Sequence, residues 1–297
     1  MNATPSTPQW QIRHQAFGAQ ILLAGLPTTR LDPAGAASRP NENDHPALPV
    51  LYLSPLWAGE GAPIRGGVPV LFPQFNDEGP LPKHGFVRTA HWQVLTPVTV
   101  PDAAGSSLEF SYGLEIGAHG DKLGALQPDS WPHHARLQLT ARCHNASLEI
   151  QLKVSNTGSE PFSWTGGLHP YFAVTDLLQA RLEGLGGTPV RDRFHSTVKA
   201  QPLGPIHWDG ALYERLFDCN TPVVLHAGAL RLRLSMRGFN QWMVWNPGIA
   251  GAKEMKDLPD ADWQHFVCVE PVIVQRPCLV APGETFEGAL VLELDPA

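Results

Sequence analysis

The sequence is poor in positive charge and has no long apolar run. Its 297 residues include 21 lysine and arginine side chains against 28 aspartate and glutamate, which gives a formal net charge of −7. A protein that binds a polyphosphate backbone normally presents a basic face, so this balance argues against nucleic acid as a partner. No apolar stretch approaches the roughly 18 residues that cross a bilayer, so we expect no membrane segment.

Cysteine is also scarce. The sequence has four cysteines, Cys143, Cys219, Cys268 and Cys278, with no Cys-x-x-Cys pair and no zinc-ligand spacing. This pattern predicts reduced thiols, with neither a disulfide framework nor a structural metal. The N-terminal residues contain neither the basic nor the apolar part of a secretory signal, which favours a cytoplasmic protein.

Helical periodicity is rare, and strict alternation takes its place. Apolar residues fall on odd positions in 135–143 and on even positions in 147–154, which is the period of half-buried strands. The link His144-Asn145-Ala146 between them predicts a hairpin. The same alternation recurs in 230–234 and 290–294.

Proline and glycine separate these short runs. The chain has 29 prolines and 28 glycines, and only 252–256 and 261–265 could form helical turns. Together these features predict an all-β fold, a large antiparallel β-sandwich of two sheets. No break in composition divides the chain, so we expect one domain over 1–297, with a flexible loop at 27–48, where Pro, Ala, Asn and Asp are dense.

A cationic loop lies in the glycine- and proline-rich stretch 59–91. Glycine lets a backbone approach a ligand closely and proline stiffens it, so this stretch can hold Arg65, Lys83, His84 and Arg88 in a fixed array. Arginine suits bidentate contact with phosphate or carboxylate. The array therefore predicts an anion site, while the alternative is solvated cations balanced by nearby carboxylates.

A histidine and a carboxylate stand in two further motifs. His169 lies in Leu168-His169-Pro170-Tyr171-Phe172 between extended flanks, which predicts a position at the edge of a sheet. Glu270 ends the apolar run of Val267-Cys268-Val269-Glu270-Pro271. An imidazole with an ordinary pKa of about 6.5 suits proton transfer, so the two side chains form a candidate acid and base. The alternative is a structural histidine bonded to a backbone carbonyl.

Five motifs in this order resemble the glucose-6-phosphate 1-epimerases, the hexose-6-phosphate mutarotases of the galactose mutarotase-like superfamily. They span most of the chain: Ile64-Arg65-Gly66-Gly67-Val68-Pro69, Leu81-Pro82-Lys83-His84-Gly85-Phe86-Val87-Arg88, Leu168-His169-Pro170-Tyr171-Phe172, Val244-Trp245-Asn246-Pro247 and Val267-Cys268-Val269-Glu270-Pro271. The resemblance implies a β-supersandwich, no metal or organic cofactor, and interconversion of the α and β anomers of a hexose 6-phosphate. We expect a monomer whose partner is this small-molecule substrate.

The resemblance also implies roles for individual residues. His169 and Glu270 become the catalytic pair. The chemistry of ring opening separately gives a hypothesis for their roles, because one group must take the proton of the O1 hydroxyl while another protonates the ring oxygen O5. We expect Glu270 as the base toward O1 and His169 as the acid toward O5, facing each other across the sugar. Arg65 and Arg88 become substrate-binding residues, and Lys83 stands where the family commonly has glutamine.

Three features depart from the family pattern or leave a role open. The family's aspartate in Thr-Asp-Arg-x-Tyr is best matched by Glu214 in Tyr213-Glu214-Arg215-Leu216-Phe217, and Asp209 is a rival for holding the sugar hydroxyls. His84, between the cations, is either a ligand or a structural residue. Five aromatic residues are candidates either for stacking on the sugar or for the core: Phe72, Phe75, Trp164, Tyr171 and Trp245.

Three other functions remain open from the residues. An aldose 1-epimerase acting on free sugars would share the fold, but a neutral sugar does not need three cations near one end. A sugar-phosphate binding or regulatory protein would retain the pocket without turnover. A glycosidase usually needs two suitably spaced carboxyl groups, whereas the clearest pair here is a carboxylate and a histidine.

Overall fold

The computed structural model describes residues 10–26, 48–59, 61–99, 108–117, 131–192 and 198–295. The predicted flexible loop at 27–48 lies outside these residues except for Leu48, which begins a strand. The predicted helical turns are short in the structure too. A helix, α1, spans Gly248–Glu254 and begins four residues before the predicted turn, and 3₁₀ turns span Val87–Thr89 and Asp262–His265.

Nineteen strands lie within the described ranges. In chain order they are β1 Gln11–Gln15, β2 Gln20–Leu26, β3 Leu48–Pro49, β4 Val70–Leu71, β5 Gln93–Thr99, β6 Leu108–Ile116, β7 Ala135–His144, β8 Ser147–Asn156, β9 Phe162–Leu168, β10 Tyr171–Ala173, β11 Arg181–Glu183, β12 Pro189–Asp192, β13 Lys199–Ala200, β14 Tyr213–Phe217, β15 Val223–His226, β16 Arg231–Arg237, β17 Gln241–Asn246, β18 Phe266–Val280 and β19 Thr285–Asp295.

One large sheet, here called the regular sheet, contains the alternating sequences. Its order is β11-β15-β16-β19-β8-β7-β6-β5, and every pair is antiparallel. The hairpin of β7 and β8 is confirmed, with Asn145 and Ala146 as its turn and Asn145 in a left-handed conformation at φ 51°. Burial alternates along β8, so period two in the sequence corresponds to one face on the core and one toward solvent.

The second large sheet, here called the site sheet, has the order β13-β12-β14-β17-β18-β9-β4, with β10 also paired to β18. Its central strand β18 is 15 residues long, and its pairing with β9 shifts register between Ile273 and Cys278. The first seven residues of β18 are all buried, and it contacts β9, β10 and β17. A small third sheet has the order β1-β2-β3, with β1 and β2 antiparallel.

A continuous apolar core joins the regular and site sheets. It contains Leu137 and Leu152 from the regular sheet and Trp164, Trp242 and Phe266 from the site sheet. The predicted all-β antiparallel sandwich is therefore confirmed. Among the helices that the structure describes, none has the length and apolar character to cross a membrane.

Candidate active site

The pairing of strands brings His169 and Glu270 together. Gly167 on β9 is opposite Val272, and Tyr171 on β10 is opposite Cys268, so His169, midway between those strands, is opposite Glu270 on β18. Residues directly opposite on neighbouring strands project to the same face. The His169 Nδ1 atom lies 3.5 Å from Glu270 Oε1, and the two residues are 7% and 1% exposed.

The prediction that His169 lies at a sheet edge is wrong. Its backbone N–H donates to the carbonyl of Pro69 at 2.9 Å, so the chain before β4 flanks it on one side while β18 flanks it on the other. The two-residue strand β4 could not be recognised from the sequence, because Pro69 directly precedes it and Pro73 follows two residues after it. The histidine is thus held inside the sheet, where its imidazole has little freedom.

Tyr171 links His169 to Arg65. Its ring stacks on the imidazole with centroids 4.8 Å apart and planes 5° apart, as expected for residues two apart on one extended face. The Arg65 Nη1 atom donates to the Tyr171 hydroxyl at 3.3 Å, and Arg65 Nε donates to Asp257 Oδ1 at 2.9 Å. Asp257, which follows α1, was not found from the sequence because nothing local distinguishes it from a surface carboxylate.

The backbone of the cationic loop depends on glycine at two points. Gly67, at φ 60°, would place a Cβ atom 2.1 Å from the carbonyl oxygen of Ile21, and Gly85, at φ 71°, would place one 2.0 Å from that of Phe72. A side chain at either position would displace the backbone. Arg88 Nη2 donates to the Lys83 carbonyl at 2.9 Å, which holds the Arg88 side chain against the backbone five residues before it.

His84 is a neutral imidazole with a defined tautomer. The backbone N–H of Asn76 donates to His84 Nδ1 at 3.1 Å, so Nδ1 carries no proton and the neutral ring carries its proton on Nε2. Burial, with the charges of His169, Arg88, Lys83 and Arg65, lowers the pKa of His84 far below its ordinary value. Its backbone is left-handed at φ 66°, and its N–H donates to the Asn76 carbonyl at 2.8 Å.

Glu214, and not Asp209, reaches the site. The carboxylate of Glu214 on β14 accepts a hydrogen bond from Asn76 Nδ2 at 3.2 Å, so Asn76 orients both His84 and Glu214. Asp209 is exposed, and its Oδ1 accepts from the backbone N–H of Ala211 at 3.0 Å. Asn76 was missed in the sequence, since a single asparagine in a loop carries no distinctive pattern.

All seven predicted site residues line one cavity of about 140 Å³: Arg65, Lys83, His84, Arg88, His169, Glu214 and Glu270. Three of the aromatic candidates, Phe75, Tyr171 and Trp245, line it as well, together with Pro63, Asn76, Met243 and Met255. Phe72 and Trp164 instead belong to the core, at 0% and 1% exposure. Residues from distant parts of the chain therefore converge on one concave site.

Charge is distributed unequally across this cavity. Burial lowers the pKa of His169 well below its ordinary value, and the cations Arg88, Arg65 and Lys83 act in the same direction. Burial raises the pKa of Glu270 well above its ordinary value, and the nearby carboxylate of Glu214 adds to this, opposed by Lys83. Both shifts favour uncharged forms of the pair in the empty pocket.

Within the described ranges, one group of side chains could hold a metal ion. Ligand atoms of His169, Cys268 and Glu270 lie within 4.8 Å of one another, and all three residues are buried. Burial, followed by the charge of Glu270, raises the pKa of the Cys268 thiol well above its ordinary value, which opposes the thiolate that a metal needs. An ion there would also occupy both members of the histidine–glutamate pair.

Sequence comparison with known proteins agrees with the family resemblance that the five motifs indicated. Residues 58–293 match the family model described as aldose 1-epimerase. A protein of Cenchrus ciliaris named "Putative glucose-6-phosphate 1-epimerase" is 28% identical over 245 residues, 79% of this chain and 71% of that protein. A Salmonella typhimurium protein of the same name is 30% identical over 234 residues, 73% of this chain and 70% of the relative.

The fold has close counterparts among solved structures. A Salmonella typhimurium protein described as a putative mutarotase superposes with a TM-score of 0.77 at 22% identity, covering 98% of this chain and 89% of that one. A Synechocystis sp. PCC 6803 protein superposes with a TM-score of 0.70 at 17% identity, covering 100% and 99%. With a galactose mutarotase-like fold and a family match over most of its length, the chain belongs to the aldose 1-epimerase family and is an isomerase.

Proposed function

We propose that this protein interconverts the α and β anomers of hexose 6-phosphates, with His169 and Glu270 as the acid–base pair. The observation that carries the proposal is a buried histidine–carboxylate pair in the same cavity as Arg65, Lys83 and Arg88. The names of the curated relatives support the phosphorylated substrate. No metal or organic cofactor is part of the proposed reaction.

The chemistry requires an acid and a base close together. A pyranose changes anomer when its O1 hydroxyl loses a proton, its ring oxygen O5 gains one, and the C1–O5 bond breaks to give an open aldehyde. Rotation about the C1–C2 bond and closure on the other face complete the exchange, with the two catalysts reversing roles. Because O1 and O5 are both bonded to C1, side chains 3.5 Å apart can serve both oxygens. The expectation that the two groups face each other across the sugar is wrong, because atoms 3.5 Å apart leave no room for a sugar ring between them.

The position of the charges supports one assignment of the two roles. In a hexose 6-phosphate the phosphate-bearing C6 is attached to C5, which is bonded to O5, so the phosphate lies on the ring-oxygen side of C1. The cations Arg88, Arg65 and Lys83 all act on His169, whereas Glu270 is influenced by the carboxylate of Glu214 and, among the cations, by Lys83. We therefore assign His169 as the acid toward O5 and Glu270 as the base toward O1. Glu214 and the Nε2–H of His84 are left to hold sugar hydroxyls.

The test follows the exchange of glucose 6-phosphate anomers at equilibrium by two-dimensional exchange NMR, with and without protein. We expect the wild type to accelerate exchange and Glu270→Gln to abolish most of it, since one general base typically contributes about 10²- to 10⁴-fold. Glu287→Gln is the matched control, because Glu287 is an exposed carboxylate on the regular sheet, paired with Lys153 at 2.6 Å. A folded Glu270→Gln protein with wild-type exchange rates would refute the assignment.

A further inference from the structure

We infer that the substrate's phosphate switches the catalytic pair on: by neutralising the cations around His169, it drives a proton from the Glu270 carboxyl to the His169 imidazole. This inference rests on the proposed function and adds a second role for the phosphate. The phosphate is then an activator of the chemistry as well as an anchor. The pair has its working charges only while a phosphorylated sugar is bound.

The geometry around His169 supports this role. Of the charged and titratable groups that face its ring, three cations and a neutral histidine come from the cationic loop, Tyr171 comes from β10, and Cys268 and Glu270 come from β18. Arg88, Arg65 and Lys83 all lower the pKa of His169, although Glu214 lines the same cavity and Arg65 is paired with Asp257 at 2.9 Å. The centroid of the His84 ring lies 5.6 Å from that of the His169 ring. An imidazolium at this point would be surrounded by like charge.

Both members of the pair also have atoms without a partner. His169 Nδ1 and Glu270 Oε2 are buried and have no hydrogen-bond partner within the described part of the chain. A buried ion pair needs additional hydrogen bonds to offset its desolvation, and this pair has none at those atoms. Burial and the neighbouring cations lower the pKa of His169, while burial and Glu214 raise that of Glu270, so the empty pocket stabilises neutral imidazole beside a protonated carboxyl.

A bound phosphate dianion changes this balance. It adds about two negative charges beside Arg65, Lys83 and Arg88, and opposite charge nearby favours the protonated form of an imidazole. The proton has a source in the pocket, because Glu270 Oε1 is 3.5 Å from His169 Nδ1. The O–H bond of the Glu270 carboxyl breaks and an N–H bond forms on His169, leaving a carboxylate and an imidazolium. These are the base and the acid that ring opening requires.

The inference has a consequence for specificity. A free hexose can occupy the sugar part of the pocket, yet it brings no dianion and leaves the pair neutral. Discrimination against it should therefore appear in kcat, in addition to any loss of affinity in KM. A phosphate that only anchored the sugar would change KM and leave the protonation of His169 unaltered.

The protonation state of His169 can be measured directly by NMR of protein labelled with ¹⁵N at histidine. The probe is 1,5-anhydroglucitol 6-phosphate, which has no O1 hydroxyl and cannot open its ring, and the comparison probe is 1,5-anhydroglucitol. His169→Asn assigns the signals of His169. His84 is an internal control, because its Nδ1 accepts an N–H and its ring should remain neutral in every sample.

We expect the His169 nitrogens to shift from neutral imidazole to imidazolium at pH 7 with the phosphorylated probe, and to stay neutral in the free protein and with the unphosphorylated probe. Imidazolium in the free protein, or the same state with both probes, would overturn the inference. That result would leave the proposed function intact as long as the protein accelerates glucose 6-phosphate exchange. A protein that neither binds the phosphorylated probe nor accelerates exchange would overturn both.

Discussion

The two large sheets use charged side chains in opposite ways. The regular sheet carries them on its outer face as cross-strand pairs, such as Arg142 with Glu109 at 2.8 Å and Lys153 with Glu287 at 2.6 Å. The site sheet carries His169 and Glu270 inside, 3.5 Å apart and with unpartnered buried atoms. The same kinds of residue are thus solvated in one sheet and desolvated in the other.

This difference separates what stabilises the fold from what performs the reaction. Exposed ion pairs contribute little to stability, because solvent screens the two charges. Buried ionisable groups cost free energy, and their perturbed pKa values are typical of functional sites. Matched substitutions should therefore differ between the two sheets. In the site sheet they should strongly reduce activity, and in the regular sheet they should change both activity and stability only slightly.

The largest expected effect comes from a histidine. His169→Asn should lower kcat/KM for glucose 6-phosphate by about 10²- to 10⁴-fold, because it removes the general acid. The free energy of unfolding should change little, since the packing lost on Tyr171 is offset by removal of a buried Nδ1 that has no hydrogen-bond partner among the described residues. His226→Asn on the regular sheet, where Nε2 of His226 lies 3.1 Å from Glu183, should leave exchange rates unchanged. Equal losses in both variants would remove the distinction between the sheets.

An arginine in each sheet sharpens the comparison. Arg88→Ala should lower kcat/KM for glucose 6-phosphate by about 10- to 100-fold, the range for one lost charge-assisted hydrogen bond. Its effect on free glucose should be much smaller. Arg136→Ala removes an exposed ion pair with Glu115 on the regular sheet and should change neither rate. If Arg88→Ala lowered kcat/KM by a similar factor for glucose 6-phosphate and for glucose, Arg88 would not be a phosphate-binding residue.

The buried carboxyl should make stability depend on pH. Because the pKa of Glu270 is raised in the folded protein, the unfolded chain loses this proton first as pH rises. The free energy of unfolding should therefore decrease with rising pH from about 4.5 up to the folded-state pKa, and remain lower above it. Glu270→Gln should abolish this decrease, while Glu287→Gln should retain it. Urea unfolding at several pH values measures the trend, and an unchanged trend in Glu270→Gln would contradict the assigned direction.

A smaller effect is expected from Asp257, a positioning residue. Asp257→Asn keeps an oxygen for the Arg65 Nε–H but removes the charge, so we expect a loss of about 3- to 10-fold in kcat/KM for glucose 6-phosphate. The loss should fall mainly on KM and be absent with free glucose. A general loss of stability without this substrate dependence would assign Asp257 a purely structural role.

The smallest effect is expected on the outer face of the regular sheet. Lys153→Ala should change the free energy of unfolding by less than about 1 kcal/mol, with the difference decreasing at high salt, and should leave activity unaltered. Thermal unfolding at two ionic strengths and the exchange assay would measure both quantities. A loss of activity here would mean that the regular sheet contributes to the site.

The regular sheet was the more predictable part of the chain. Strict alternation in 135–143 and 147–154 is a local signal, because each strand buries one face and the two are joined by a two-residue turn. The site sheet gives no such signal. β18 is buried on both faces over its first residues, so its sequence is a continuous apolar run in which Glu270 is the exception.

For the site, the motifs predicted which residues would meet but not how they would be arranged. The opposition of His169 and Glu270 depends on pairing between strands about a hundred residues apart, and the flanks of His169 wrongly indicated a sheet edge. Asn76 and Asp257 were missed because single polar residues in loops acquire their role only from what folds beside them. The choice of Glu214 over Asp209 likewise needed the pairing of β14 with β17.

The most direct test is a side-by-side measurement of anomer exchange for glucose 6-phosphate and glucose with the wild-type protein under the same conditions. If the cations of the pocket bind the phosphate, kcat/KM for glucose 6-phosphate should exceed that for glucose by at least about a hundredfold. The reason is that glucose cannot form the several charge-assisted hydrogen bonds that the phosphate forms. Equal acceleration of both sugars would contradict the phosphate assignment and make the protein an epimerase of free aldoses. No acceleration of either would contradict the acid–base role of His169 and Glu270.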